Sequence, residues 1–184
     1  YTTIICGMSW IGRQNLNGII AAAFWTSVIL TPSGSLSDKF EIRERIPQRS
    51  FHVSNVQFQK EDVGSEFGVS YSAGQSYGPL QPVFYASLTD EKAAWVGAGF
   101  TNTVSMNEDW YLALTFIPGV YHAGNDEDLG GWLMFRSGIE VGYSITEDWQ
   151  VGLVYDHRSS GDLWLYNPGM ETLQIKIGRL LRAN

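Results

Sequence analysis

Residues 148–159 read DWQVGLVYDHRS, and residues 170–181 read METLQIKIGRLL. Successive side chains of a strand point to opposite faces, so these runs can be sorted by parity. In the first, Trp149, Val151, Leu153 and Tyr155 share one face; Gln150, Gly152 and Asp156 share the other, with Val154 breaking the pattern. In the second, Leu173, Ile175 and Ile177 oppose Thr172, Gln174, Lys176 and Gly178. The stretch 131–145 repeats the scheme, with Leu133, Phe135, Ile139, Val141 and Tyr143 opposing Arg136, Gly138, Glu140 and Gly142. Parity alone does not say which face is inside. A water-soluble barrel turns its apolar face inward, whereas a membrane barrel turns it to lipid around a polar interior. The crowding of large apolar side chains favours lipid as their neighbour. Arg136, Glu140 and Lys176 would then pair within a narrow lumen.

Working outward, the period of two begins near Ser50. Eight segments of alternating character fall near 51–59, 65–73, 80–89, 93–105, 109–121, 131–145, 148–159 and 170–181. A tilted membrane strand needs roughly 9–11 residues, and these segments match. An even number of strands closes on itself without a free edge. The expected fold is all-β, an eight-stranded antiparallel up-and-down transmembrane β-barrel, forming one domain over 38–184. Two turns echo each other, Asn107-Glu108-Asp109-Trp110 and Thr146-Glu147-Asp148-Trp149. A meander places both at one barrel end, with their Trp residues in one interfacial belt. Asp38 to Arg49 is polar and is expected to be irregular.

The chain carries a formal net charge of −7, which argues against a general nucleic-acid partner. Cys6 is the single cysteine, so no internal disulfide and no cysteine-based metal site arises. Residues 1–37 read as a targeting segment. Arg13 supplies a positive start, Ile19 to Leu30 is an apolar run, and Ser35 and Ser37 form a small-x-small pair before Asp38. That run is shorter than the ~20 residues of a spanning helix. Met8 is a candidate true start. The alternative is a buried hydrophobic helix of the mature domain.

Chemistry concentrates at the last hairpin. His157 and Ser159 lie two apart and share a strand face. The next strand returns antiparallel from Met170, and Glu171 shares parity with Leu173 and Ile175. Closing the hairpin can bring Glu171 beside His157. A nucleophilic Ser159, a general base His157 and an orienting Glu171 make an activated-serine constellation. All three share the face of the large apolar residues, so the site opens toward lipid. Polar groups are costly at mid-membrane and cheaper near the interface, where a hairpin rim lies. If both termini face the periplasm, the seventh strand ends outside and the loop Ser160–Gly169 is extracellular. The outer leaflet there presents lipopolysaccharide.

His157, Ser159, Asn167, Gly169 and Glu171 together resemble the motif of the lipid A deacylase (PagL-type) family, His-x-Ser-Asn followed by Asn-x-Gly-x-Glu in the next hairpin arm. The motif covers the last two strands, and the eight-strand plan extends the likeness over Ser50 to Leu181. The resemblance implies an outer-membrane serine esterase that removes the ester-linked acyl chain from the 3 position of lipid A, without cofactor or metal. It implies lipopolysaccharide and membrane lipids as partners; a homo-oligomer is left open. Ser160 stands where the family has Asn, a residue linked to the oxyanion hole, so Ser160, Asn167 and Gly169 are the expected supporting residues. The chain ends Arg182-Ala183-Asn184, without the terminal aromatic common in such barrels.

Other features read more plainly. His52 and His122 lack comparable partners. Asn125 to Asp128 lacks the spacing of a calcium loop and reads as a solvated loop. Parity turns Arg158 inward, toward a lumen ion pair. Gly97 and Gly99 read as strand packing, since no helix follows them. Two other functions remain in view, a non-catalytic structural or adhesive barrel with a degenerate site, and a soluble lipocalin-like binder.

Overall fold

The computed structural model describes residues 6–30, 40–58 and 61–182, with side chains in the first stretch from Gly18 onward. A helix α1, Cys6–Leu30, is followed by β1 (Ile42–Glu44), β2 (Gln48–Phe58), β3 (Glu61–Ser72), β4 (Gln75–Tyr77), β5 (Gln81–Thr89), β6 (Ala94–Ser105), β7 (Trp110–His122), β8 (Leu133–Ser144), β9 (Trp149–Ser159) and β10 (Met170–Leu180). Eight of these strands form a closed barrel in the order β10-β2-β3-β5-β6-β7-β8-β9, every neighbouring pair antiparallel. Closure is made by β10 and β2, in register from Glu171 opposite Gln57 to Leu180 opposite Gln48.

The eight-stranded plan therefore holds, with strand ends within a few residues of those expected. The stretch before it is more ordered than its composition implied. Ile42–Glu44 pairs with Gln75–Tyr77 in a small two-stranded sheet, and Arg45 Nε donates to Ser76 Oγ at 3.1 Å. β2 begins at Gln48, inside the region expected to be irregular. α1 also reaches further toward the N-terminus than the apolar run Ile19–Leu30. The small-residue pair Ser35 and Ser37 lies outside the described residues.

Parity sorts the wall. Phe51, Val53, Phe67, Val69, Leu153, Leu173, Ile175 and Ile177 are exposed on the outer face. His52, Glu66, Arg136, Asp156, Arg158 and Gln174 are buried on the inner one. No described helix is long and apolar enough to cross a membrane, and a barrel crosses with its strands.

The lumen has two halves. The half beneath the loops that precede β8 and β10 is filled by Tyr85, Trp95, Tyr121, Leu129, Met134 and Met170 around a set of charges. Trp95 lies flat across Gly97 and Gly119, where any Cβ would stand 2.5 Å from its ring. This gives Gly97 the packing role its pattern implied. The other half holds a cavity of about 610 Å³ lined in part by Gln48, Gln81, Glu140, Gln150 and Lys176, and by Arg45, the residue after β1. Lys176 Nζ pairs with Glu140 Oε2 at 2.8 Å, as expected, whereas Arg136 turns to Glu66 and Asp156. His52 is held in the lumen by Gln174 and Ser70, both at 2.9 Å.

The two matching turns adopt matching geometry. Asn107 Oδ1 accepts from the Asp109 and Trp110 amides, at 3.0 and 2.8 Å. Thr146 Oγ1 accepts from the Asp148 and Trp149 amides, at 3.3 and 3.1 Å. Both turns lie at one barrel end, and both Trp residues are exposed there. Trp110 packs on Tyr143 at 5.0 Å and the Arg179 guanidinium lies 5.7 Å from the Trp149 ring.

Leu153 sits on the outer face between Val141 and Ile175. Leu153→Arg should lower folding stability in lipid vesicles by roughly 2–4 kcal/mol, the cost of a lipid-facing guanidinium near mid-membrane. Equilibrium unfolding in vesicles measures this, and an unchanged stability would contradict a lipid-facing wall.

Candidate active site

β9 alternates through the decisive segment. Asp156 and Arg158 point into the lumen, while His157 and Ser159 share the outer face with Leu153 and Tyr155. In the β9–β10 ladder Glu171 is directly opposite His157. The Glu171 Oε1 lies 3.4 Å from His157 Nδ1, an ion-pair contact without the geometry of a full hydrogen bond. The three residues expected to act together, His157, Ser159 and Glu171, thus occupy one patch of outer wall. The register sets Glu171 against His157, and Ser159 follows two residues along the same strand.

On its other side His157 faces Ser137 of β8, which is fully buried. Sequence reasoning passed over Ser137. The signal was available, because Ser137 is the small polar residue between Phe135 and Ile139 on an otherwise large apolar face. Two large side chains beside a ring leave no room for it; a serine does.

The loop after Ser159 is tied back by its own polar groups. The Ser160 amide donates to Asn167 Oδ1 at 2.9 Å, and Asn167 Nδ2 donates to Asp162 Oδ1 at 3.0 Å. The Gly161 amide donates to Ser159 Oγ at 3.4 Å. Ser160 Oγ is buried and has no hydrogen-bond partner among the described residues. Gly169 has φ +71°, and a Cβ there would stand 2.7 Å from His157 Cε1 and 3.0 Å from Nε2. Asn167 and Gly169 therefore shape the ground on which Ser160 and His157 rest. Trp164 packs over Gly131 and Tyr166 over Gly130, joining this loop to the one before β8.

His157 and Ser159 are only 2% and 3% exposed although they face outward. α1 lies against the outer wall across β6, β7, β8 and β9. Its Phe24 and Val28 pack with Phe100, Leu114 and Phe116, and Asn102 Nδ2 donates to Ser27 Oγ at 2.8 Å. Arg158, expected in a lumen ion pair, meets Glu66 Oε1 at 2.6 Å. The carboxylates of the Asn125–Asp128 loop accept from nearby backbone; the Glu127 amide donates to Asp126 Oδ1 at 2.9 Å and the Gly130 amide to Asp128 Oδ1 at 2.8 Å. Among the described residues no group of His, Cys, Asp and Glu is placed to hold a metal ion.

A family model described as lipid A 3-O-deacylase (PagL) matches residues 55–179. No curated protein matches the sequence significantly. Among solved structures, the fold is similar to the outer membrane enzyme PagL, at 14% identity and TM-score 0.58, covering 73% of this chain and 99% of that one. It is equally similar to a de novo designed transmembrane β-barrel, at 7% identity and TM-score 0.58, covering 76% of this chain and 98% of that one. Neisserial surface protein A follows at 13% identity and TM-score 0.50, covering 77% of this chain and 99% of that one. At these identities the structural likenesses establish the barrel alone.

Gly169→Ala should cost stability by roughly 1–2 kcal/mol, since a left-handed backbone disfavours any Cβ, and should also push the His157 ring aside. The shift of the denaturant midpoint in detergent reads the first effect. A variant as stable as the parent would remove Gly169 from the account.

Proposed function

We propose, because the chain belongs to the lipid A 3-O-deacylase (PagL) family, that this integral outer-membrane barrel hydrolyses the ester-linked acyl chain at the 3 position of lipid A with Ser159, His157 and Glu171. The observation that carries the reading is the in-register pairing of Glu171 with His157, at 3.4 Å, with Ser159 two residues along on the same outer face.

Ser159 Oγ attacks the acyl carbonyl carbon while His157 takes the hydroxyl proton. Nδ1 faces Glu171, so Nε2 is the nitrogen that receives it. Glu171 orients the ring and stabilises its charged form. The tetrahedral oxyanion collapses, the carbon–oxygen bond to the sugar breaks, and the sugar oxygen takes the proton from His157. An acyl ester on Ser159 remains. Water then attacks that ester, giving its proton to His157, and Ser159 leaves as a hydroxyl by recovering it. The products are a free fatty acid and a lipid A with one hydroxyl uncovered.

The oxyanion needs donors. The Ser160 amide is already used by Asn167, whereas its buried hydroxyl has no hydrogen-bond partner among the described residues and is the donor we assign. It takes the part that the family gives to Asn. An outward site next to a lipid-facing wall suits a substrate whose acyl chains lie in the outer leaflet. Residues 1–37 fit a targeting segment removed on export. α1 covers part of the wall that carries the site, and its removal with that segment would open the wall to lipid. The second reading, a barrel whose site is degenerate, draws on Ser160 standing in place of Asn.

Incubation with lipopolysaccharide followed by mass spectrometry should show loss of one hydroxyacyl chain. Ser159→Ala and His157→Ala should each abolish that loss while the barrel stays folded. Deacylation that persists in either variant refutes the assignment, and its absence in the parent favours the degenerate barrel. Ser160→Ala should lower kcat by ~10²–10³-fold if its hydroxyl is the oxyanion donor. A kcat within twofold of the parent would give that role to another group.

A further inference from the structure

The segment Asp156–Ser159 has two working faces. His157 and Ser159 look outward, and the residues flanking His157 look inward into one buried set of charges. Arg158 Nη2 lies 2.6 Å from Glu66 Oε1, and its guanidinium sits between Trp95 and Tyr121, 5.7 Å from each ring. Arg136 Nη2 lies 3.1 Å from Glu66 Oε2 and 2.8 Å from Asp156 Oδ2, and its guanidinium stacks on Tyr85 at 4.3 Å. Ser87 hydrogen-bonds Glu66, and Gln174 hydrogen-bonds Asp156. Two cations balance two anions. Glu66 is the common member: it stands on β3, three strands from β9 around the barrel, and grips both arginines.

The strand needs such a grip where the chemistry is. The β9–β10 ladder ends at Arg158 opposite Met170, and the β8–β9 ladder ends at Ser159 opposite Phe135. Ser159 therefore has a paired strand on one side only. A nucleophile at a strand end frays unless something holds the last residues. Arg158, lying between base and nucleophile in the chain, is the last charged anchor before the loop. We infer that Glu66 is a positioning residue for acyl transfer, fixing through Arg158 and Arg136 the strand segment that carries His157 and Ser159. This rests on the acyl-hydrolase reading above. Because a reacting group misplaced by about 1 Å can cost ~10²-fold in rate, the grip acts on kcat.

Two variants test it. Glu66→Asp keeps the charge balance but shortens the reach to both arginines. The double variant Glu66→Gln with Arg158→Met removes the pair together, a replacement that buried ion pairs often tolerate, and leaves Arg136 with Asp156. Folded barrel is scored by its gel shift on heating. Both variants should release acyl chain from detergent-solubilised lipid A with kcat lowered roughly 10- to 10²-fold and KM within twofold. Labelling of Ser159 by a fluorophosphonate should slow in parallel. Glu140→Gln, which breaks the separate Lys176 pair, should leave kcat unchanged. A folded variant of either kind with parental kcat, a rise in KM alone, or an equal loss in Glu140→Gln overturns the inference. A parent protein that neither deacylates nor takes the label overturns the hydrolase reading itself, and the inference with it.

Discussion

Hydrocarbon offers a peptide group no hydrogen-bond partner, and that constraint governs everything else in this molecule. A chain of strands survives there only if its first and last members pair. β2 and β10 do so along nearly their whole length. Once the ring is closed, alternation leaves each side chain just two environments. The outer one selects Phe, Val, Leu and Ile. The inner one must accept what remains, and it does so by neutralising charges against each other and laying aromatic rings over glycines. The same alternation divides the segment Asp156–Ser159, so that reactive groups and anchoring groups come from one short stretch without competing for space.

Much of this could be read from residues alone, because parity is local. Leu153, Ile175 and Val141 announce a face two residues at a time, and the turns at Asn107 and Thr146 mark where strands reverse. The hairpin joining His157 to Glu171 was legible for the same reason: adjacent antiparallel strands have few registers once the loop length is set. What escaped was non-local. Glu66 is one of three acids in β3, and nothing near it in sequence indicates that its partners are Arg136 and Arg158, seventy or more residues away. Arg136, Glu140 and Lys176 were expected to pair among themselves; Lys176 does take Glu140, but Arg136 turns to Glu66 and Asp156. The short β1–β4 sheet was also hidden. Its three-residue strands are too brief for periodicity to register.

The candidate site shows how little a barrel wall must change to carry reactive groups. Around His157 the wall replaces large residues with small ones: Ser137 on one flank and Gly169 above the ring edge. Loop order comes from Asn167, whose amide group bonds both Ser160 and Asp162. These concessions lie at the rim. The mid-wall stays apolar, so the polar groups avoid the depth at which lipid exposure is most costly.

The lumen is hollow for only part of its length. A water-accommodating cavity of about 610 Å³ occupies one half, while Trp95, Tyr121, Leu129, Met134, Met170 and the paired charges fill the other. A cell could therefore insert many copies of this barrel without perforating its envelope. Solutes too large to pass between those packed side chains would find a blind alley, however abundant the protein became.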